Sequence, residues 1–139
     1  MTKTTNYQLN QWDATDRVLR TDFNSDNQKI DAALGEKVEI QFGNYTGNGG
    51  SSQKIALEGT PCAVYVCPAD GAVCDLYGID SLWGGLAFTD HPAIRKGQNL
   101  VKIEDGGFRV YYSTSSGSEH ILTNQEDVAF HYIAFFVRA

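Results

Sequence analysis

Large apolar residues are sparse at the start of the chain and recur at helical spacing: Trp12, Leu19, Phe23, Ile30 and Leu34 lie seven, four, seven and four positions apart. That spacing draws one narrow apolar stripe along a helix. Asp16 and Asn27 fall on the same seam, and a lone Asn such as Asn27 commonly fixes register and copy number in a helical assembly. The alternation of seven and four approaches an 11-residue repeat, which favours little or slightly right-handed supercoiling. Thr21 suits an N-cap with Asp22 in the first turn, and Thr15 before Asp16 is an alternative start. Gly35 suits the C′ position. From Thr21 to Leu34 is only about four turns, marginal for an isolated helix, so the stripe needs a partner. Two partners remain open: the rest of the same chain, or other copies of it in a coiled-coil-like stem.

From Glu36 onward the period changes to two. Val38, Ile40 and Phe42 share one face, with Glu39 and Gln41 on the other. The stretch 46–52 reads as a hairpin or loop connection before a strand at Lys54–Leu57. Cys62–Cys67 is a nearly continuous apolar strand closed by Pro68 and Asp70-Gly71. Leu100–Ile103 and Phe108–Tyr112 flank the turn Glu104–Gly107, a hairpin pattern. Val128–Val137 is apolar on both faces, which suits a central strand of a sandwich or a strand at a subunit interface. The pattern predicts seven to eight short strands and no helix after Gly35. The expected fold is mainly β: a helical stem over 1–35, then an antiparallel β-sandwich or jelly-roll-like domain over 36–139.

Composition narrows the function. The chain has 139 residues, a formal charge of −6 and a pI near 4.9, and only Arg95 and Lys96 are adjacent cations. No basic stripe is available to displace counterions from nucleic acid, so DNA and RNA are excluded as primary ligands. The start of the sequence lacks the apolar core of a signal peptide, and no apolar run is long enough to insert in a membrane. Synthesis in a cytosol is the expectation, with export only by lysis or within a particle. Cys62, Cys67 and Cys74 lack metal-ligand spacing with each other or with His91, His120 and His131. They read as reduced, buried apolar thiols, with no metal and no cofactor expected.

Asn6–Trp12, Asp16–Asn24 and Ile30–Leu34 together resemble the N-terminus of phage and prophage tail proteins of Gram-positive bacteria. Gly43–Gly49, Lys54–Leu57, Thr60-Pro61, Gly107–Val110, Leu122–Asn124 and Tyr132–Phe135 follow in order and are similar to a recurrent tail-fibre C-terminal domain. The family usually carries Phe before the Thr-Pro, where this chain has Glu58-Gly59, and tends to have Gly near position 127, where this chain has Asp127. The resemblance implies a virion component, a homotrimer near the tail tip, in contact with other tail or baseplate proteins. It favours self-association of the stripe and carries no catalytic residues.

Chemistry in the sequence points the same way. Asp70/Asp75 and Asp80/Asp90 are acid pairs of the kind a glycosidase needs, but Asp at glycine-rich turns commonly serves the turn itself. No G-x-S-x-G elbow is present. Residues 44–52 superficially resemble a phosphate loop without its Lys-Ser/Thr ending. The expectation is therefore a protein that is not an enzyme. Leu76–His91 sets aromatic rings beside Asp and His, as saccharide sites do. Tyr77, Trp83, Asp90 and His91 are the candidate contacts to a host cell-surface glycan or wall polymer. The competing possibility is that Trp83 and Phe88 are core plugs. A purely structural tail connector and a monomeric carbohydrate-binding module are the alternative functions.

Overall fold

The computed structural model describes residues 1–137. They fall into two compact units, residues 1–38 with Val137, and residues 39–136.

In the first unit β1 (Thr2–Lys3) and β2 (Asn10–Gln11) pair antiparallel. A single helix follows, α1 (Arg20–Gly35). It is shorter than a 1–35 stem, because Trp12 and Asp16 lie ahead of it and Leu19 is its N-cap. Neither Thr21 nor Thr15 caps it. Leu19 adopts the extended conformation a cap requires (φ −95°, ψ 142°) but has no side-chain oxygen to accept from the first-turn N–H groups. Gly35 is the last helical residue rather than a left-handed C′, and the chain leaves through Glu36, whose N–H reaches Ala32 O at 3.2 Å.

The helix packs by its polar side. Asp26 is buried, accepting the Asn10 backbone N–H at 2.9 Å and the Asn10 side-chain amide at 3.1 Å. Lys29 donates to Gln8 O at 2.7 Å. Phe23, Ile30 and Leu34 are exposed, as is Asn27, so the helical part of the seam faces solvent in the single chain. Among the described residues no coiled coil is formed within one copy.

The second unit is mainly β and sandwich-like. Its strands are β3 (Val38–Thr46), β4 (Ser52–Ala56), β5 (Ala63–Pro68), β6 (Cys74–Asp75), β7 (Asp80–Leu82), β8 (Gly85–Phe88), β9 (Ala93–Arg95), β10 (Gln98–Glu104), β11 (Gly107–Tyr111), β12 (Glu119–Ile121) and β13 (Ala129–Val137). One four-stranded sheet runs β3-β13-β5-β8 and the other β4-β11-β10-β9. A smaller sheet, β12-β7-β6, includes one parallel pair, β12 with β7. The strands exceed the seven or eight expected because residues 72–97 form four short strands of two to four residues. Segments that short carry too little periodicity to be read.

Inner faces of the two larger sheets share one core. Val64, Val66, Ala87, Phe130 and Ala134 come from one, and Val101, Phe108 and Val110 from the other. Tyr45 stacks on Phe130 at 5.0 Å between ring centroids and meets Phe108 edge-on at 6.2 Å; Phe108 meets Tyr132 at 5.1 Å. Between β10 and β11, Gly106 takes a positive φ of 75°, which closes the predicted hairpin over Glu104–Gly107. Asp127, standing where the resembled family tends to have Gly, is also left-handed (φ 59°) and donates its N–H to Gly47 O at 3.1 Å.

Candidate functional site

Trp83 sits just past β7. Its N–H donates to Val73 O at 2.8 Å, and the next residue, Gly84, passes so close to β5 that a Cβ there would lie 2.2 Å from Val66 O. Only glycine permits that approach. Trp83 is thereby pressed half-buried against the core, and its remaining surface lines an open cleft of about 430 Å³ with Pro68, Asp70, Cys74, Asp75 and Val128. Asp70 Oδ1 accepts the Ala72 N–H and Asp75 Oδ1 accepts the Tyr77 N–H, both at 3.0 Å. Each carboxylate holds its own turn through one oxygen, and neither forms an ion pair among the described residues. An indole beside two such carboxylates can stack on an apolar ring face and accept hydrogen bonds from hydroxyls.

Asp90 and His91 are elsewhere. They form the tight turn between β8 and β9, in which the Phe88 N–H donates to His91 O at 2.9 Å and the His91 N–H to Phe88 O at 3.0 Å. Asp90 is left-handed there, with φ 60°. With Phe88, Pro92, Lys102 and Ile103 they line a second cleft of about 310 Å³. Tyr77 lines neither cleft and is 95% exposed. The four candidates thus do not converge on one site, since two strands, β7 and β8, separate the turns that carry them. Phe88 is not a core plug either, because it points outward from β8 and is exposed.

Other expectations also change. Cys62 and Cys67 are only partly buried and Cys74 is exposed, so the thiols are free but not sealed in the core. In the 44–52 segment the amides are already committed: Gly47 N–H to Val128 O, Asn48 N–H to Asn124 Oδ1, Gly49 N–H to Asn124 O and Gly50 N–H to Asn48 Oδ1. Four consecutive donors used internally leave no cradle for a phosphate. Of the acid pairs, Asp80 is joined to Arg95 at 2.9 Å while Asp90 lies on the other turn. Among the described residues no group of three or more His, Cys, Asp and Glu could hold a metal ion. Nor is any described helix long and apolar enough to cross a membrane.

A buried carboxylate missed in the sequence supports this end of the fold. Glu119 is 3% exposed, is ion-paired with Lys96 of the β9–β10 turn, and accepts from Ser118 Oγ at 2.7 Å and Ser116 Oγ at 3.1 Å. The hydrogen bond from Lys96, followed by that from Ser118, holds its carboxyl down to about 2 from an ordinary 4.5. A depressed folded-state pKa contributes stability that is full above about pH 4.5 and lost as pH falls towards 2. Glu119→Gln is therefore expected to unfold more readily than wild type at neutral pH, with the difference shrinking between pH 4.5 and 2. Melting curves across that range check it, and a constant difference would contradict it.

No family model, no curated protein and no solved structure matches this chain.

Proposed function

We propose that the chain is a non-enzymatic component of a phage-type tail, made in the bacterial host cytoplasm and carried in the virion. On this reading it attaches through its N-terminal unit, assembles as a homotrimer, and presents the β unit to a glycan or wall polymer on the host surface. The N-terminal resemblance supports it, as does a helix whose apolar stripe, Phe23, Ile30 and Leu34, is exposed in the single chain. Such a stripe suits a stem of several copies.

The cleft beside Trp83 is the observation that carries the receptor-binding part. One indole face and the carboxylates of Asp70 and Asp75 match a sugar, which offers apolar C–H faces and hydroxyl donors. Those carboxylates, on a chain of net charge −6, favour a neutral glycan over a polyanionic phosphate polymer. A structural connector is the second reading, favoured by the packing of Trp83 on the core.

The test uses intrinsic fluorescence. The chain has two tryptophans, so Trp12→Phe leaves Trp83 as sole reporter. Titration with neutral wall-polysaccharide fragments is expected to give a saturable change. Asp70→Asn and Asp75→Asn should each weaken binding by about tenfold or more, the worth of a hydrogen bond to a charged group. A flat signal across a panel of Gram-positive wall polysaccharides would leave the connector as the better account.

A further inference from the structure

The two larger sheets differ sharply on their outward faces. On β4-β11-β10-β9 the outward residues include Lys54, Lys102, Arg109 and Glu104, with Arg109 held to Glu104 at 3.0 Å. That is an ordinary solvated surface. On β3-β13-β5-β8 the alternation delivers apolar groups to the outside instead. Leu86, Tyr65 and Ile133 are register neighbours across three strands, and Phe88, Ala63 and Phe135 form the next outward row. Beside them on the edge strand are Ile40 and Phe42, and Phe42 is 77% exposed. Phe42, Tyr65, Cys67, His131 and Ile133 line a shallow, mostly apolar hollow of about 260 Å³ on this face.

We propose that this outward sheet face of the β unit is where a second copy of the chain docks. The inference rests on the assembly proposed above and moves its main contact from the helical stripe to the sheet.

Area supports it first. Exposed fractions of 77% for Phe42, 49% for Ile40, 47% for Leu86 and 51% for Phe88 amount to on the order of 400 Å² of apolar surface on these four residues alone. Tyr65, Ile133 and Phe135 add more, reaching the upper end of the roughly 300–600 Å² patch a monomer exposes. A standard interface takes about 800 Å² from each partner, so this patch supplies its apolar centre and leaves a polar rim to complete it.

Charge supports it second. The chain carries a net −6, so two copies repel one another over most of their surface. The outward rows Leu86–Tyr65–Ile133 and Phe88–Ala63–Phe135, with Ile40 and Phe42, contain no Asp, Glu, Lys or Arg. Copies meeting here bury no like charges. A lipid surface fits less well, because a net-negative chain without cations on the contact face is repelled by an anionic leaflet.

Light scattering behind size exclusion on the full chain tests the proposal. Wild type is expected at a multiple of 15.3 kDa. Phe42→Glu and Leu86→Glu should each raise the dissociation constant by about a hundredfold or more, since the interface would bury an unpaired charge from each copy. Circular dichroism should be unchanged, because both side chains stand well out of the core. Phe23→Glu with Ile30→Glu, in the helix, should leave an oligomer. If the sheet variants keep the wild-type mass while the helix variant falls to a monomer, the sheet-face inference fails and the stem assembly stands. A wild-type monomer at tens of micromolar overturns both.

Discussion

Asn124→Ala is expected to lower the unfolding free energy by about 2–4 kcal/mol, although it deletes only a small polar group. Asn124 is fully buried and ties two segments together. Its Nδ2 donates to Asn48 Oδ1 at 2.7 Å and to Gly50 O at 2.9 Å, while its Oδ1 accepts the Asn48 N–H at 3.1 Å. Alanine leaves the Asn48 N–H and the Gly50 carbonyl without these partners; both residues are exposed, so water reaches them and the loss is that of three hydrogen bonds at about 0.5–1.5 kcal/mol each. Nor is there slack nearby for repacking: a Cβ on Gly47 would lie 1.9 Å from Gln125 O. Thr123, equally buried, bridges Leu100 O at 2.7 Å and Tyr111 O at 3.1 Å, and its own carbonyl accepts from Tyr45 Oη at 2.6 Å. Together Thr123 and Asn124 pin the loop at 46–52 to both large sheets. A total stability of about 5–15 kcal/mol makes the loss conspicuous, with a fall in melting temperature of roughly 6–15 °C. Calorimetry on the variant checks it, and a fall below about 5 °C would mean that water replaces the lost amide.

Regular elements were legible in the sequence where one period runs long enough. The helix shows in the 7-4 spacing, β5, β10 and β11 show in apolar runs bounded by Pro or Gly, and β13 shows in a long run apolar on both faces. The start of the helix was not legible, because a backbone conformation at Leu19 replaces the side-chain cap that Thr21 advertises. Leu76–His91 was read as one segment carrying a single site. Short strands divide that stretch, so Trp83 and the Asp90–His91 turn line separate clefts. Burial direction was the deeper difficulty. Alternation shows that Val38, Ile40 and Phe42 share a face, but not whether that face meets the core of the same chain or something else. The polar partners Glu119, Thr123 and Asn124 were invisible for the converse reason, since their burial depends on segments far away in sequence.

Phe108 and Phe42 make that difference measurable. Both are phenylalanines on alternating strands, yet Phe108 is 0% exposed between the Tyr45 and Tyr132 rings and Phe42 is 77% exposed. Phe108→Ala removes buried apolar area and leaves a cavity at the centre of the sandwich, so it is expected to cost about 3–5 kcal/mol at any protein concentration. Phe42→Ala should cost no more than about 0.5 kcal/mol in a dilute, dissociated chain, as surface substitutions generally do. If a second copy covers Phe42, the same substitution acts through association. Wild-type melting temperature should then rise with protein concentration, as linkage requires of an oligomer, and Phe42→Ala should flatten that rise. The slope of melting temperature against the logarithm of concentration is therefore the quantity to measure. Equal slopes for wild type and Phe42→Ala would mean that Phe42 lies outside any contact between copies, whatever the cost of Phe108→Ala turns out to be.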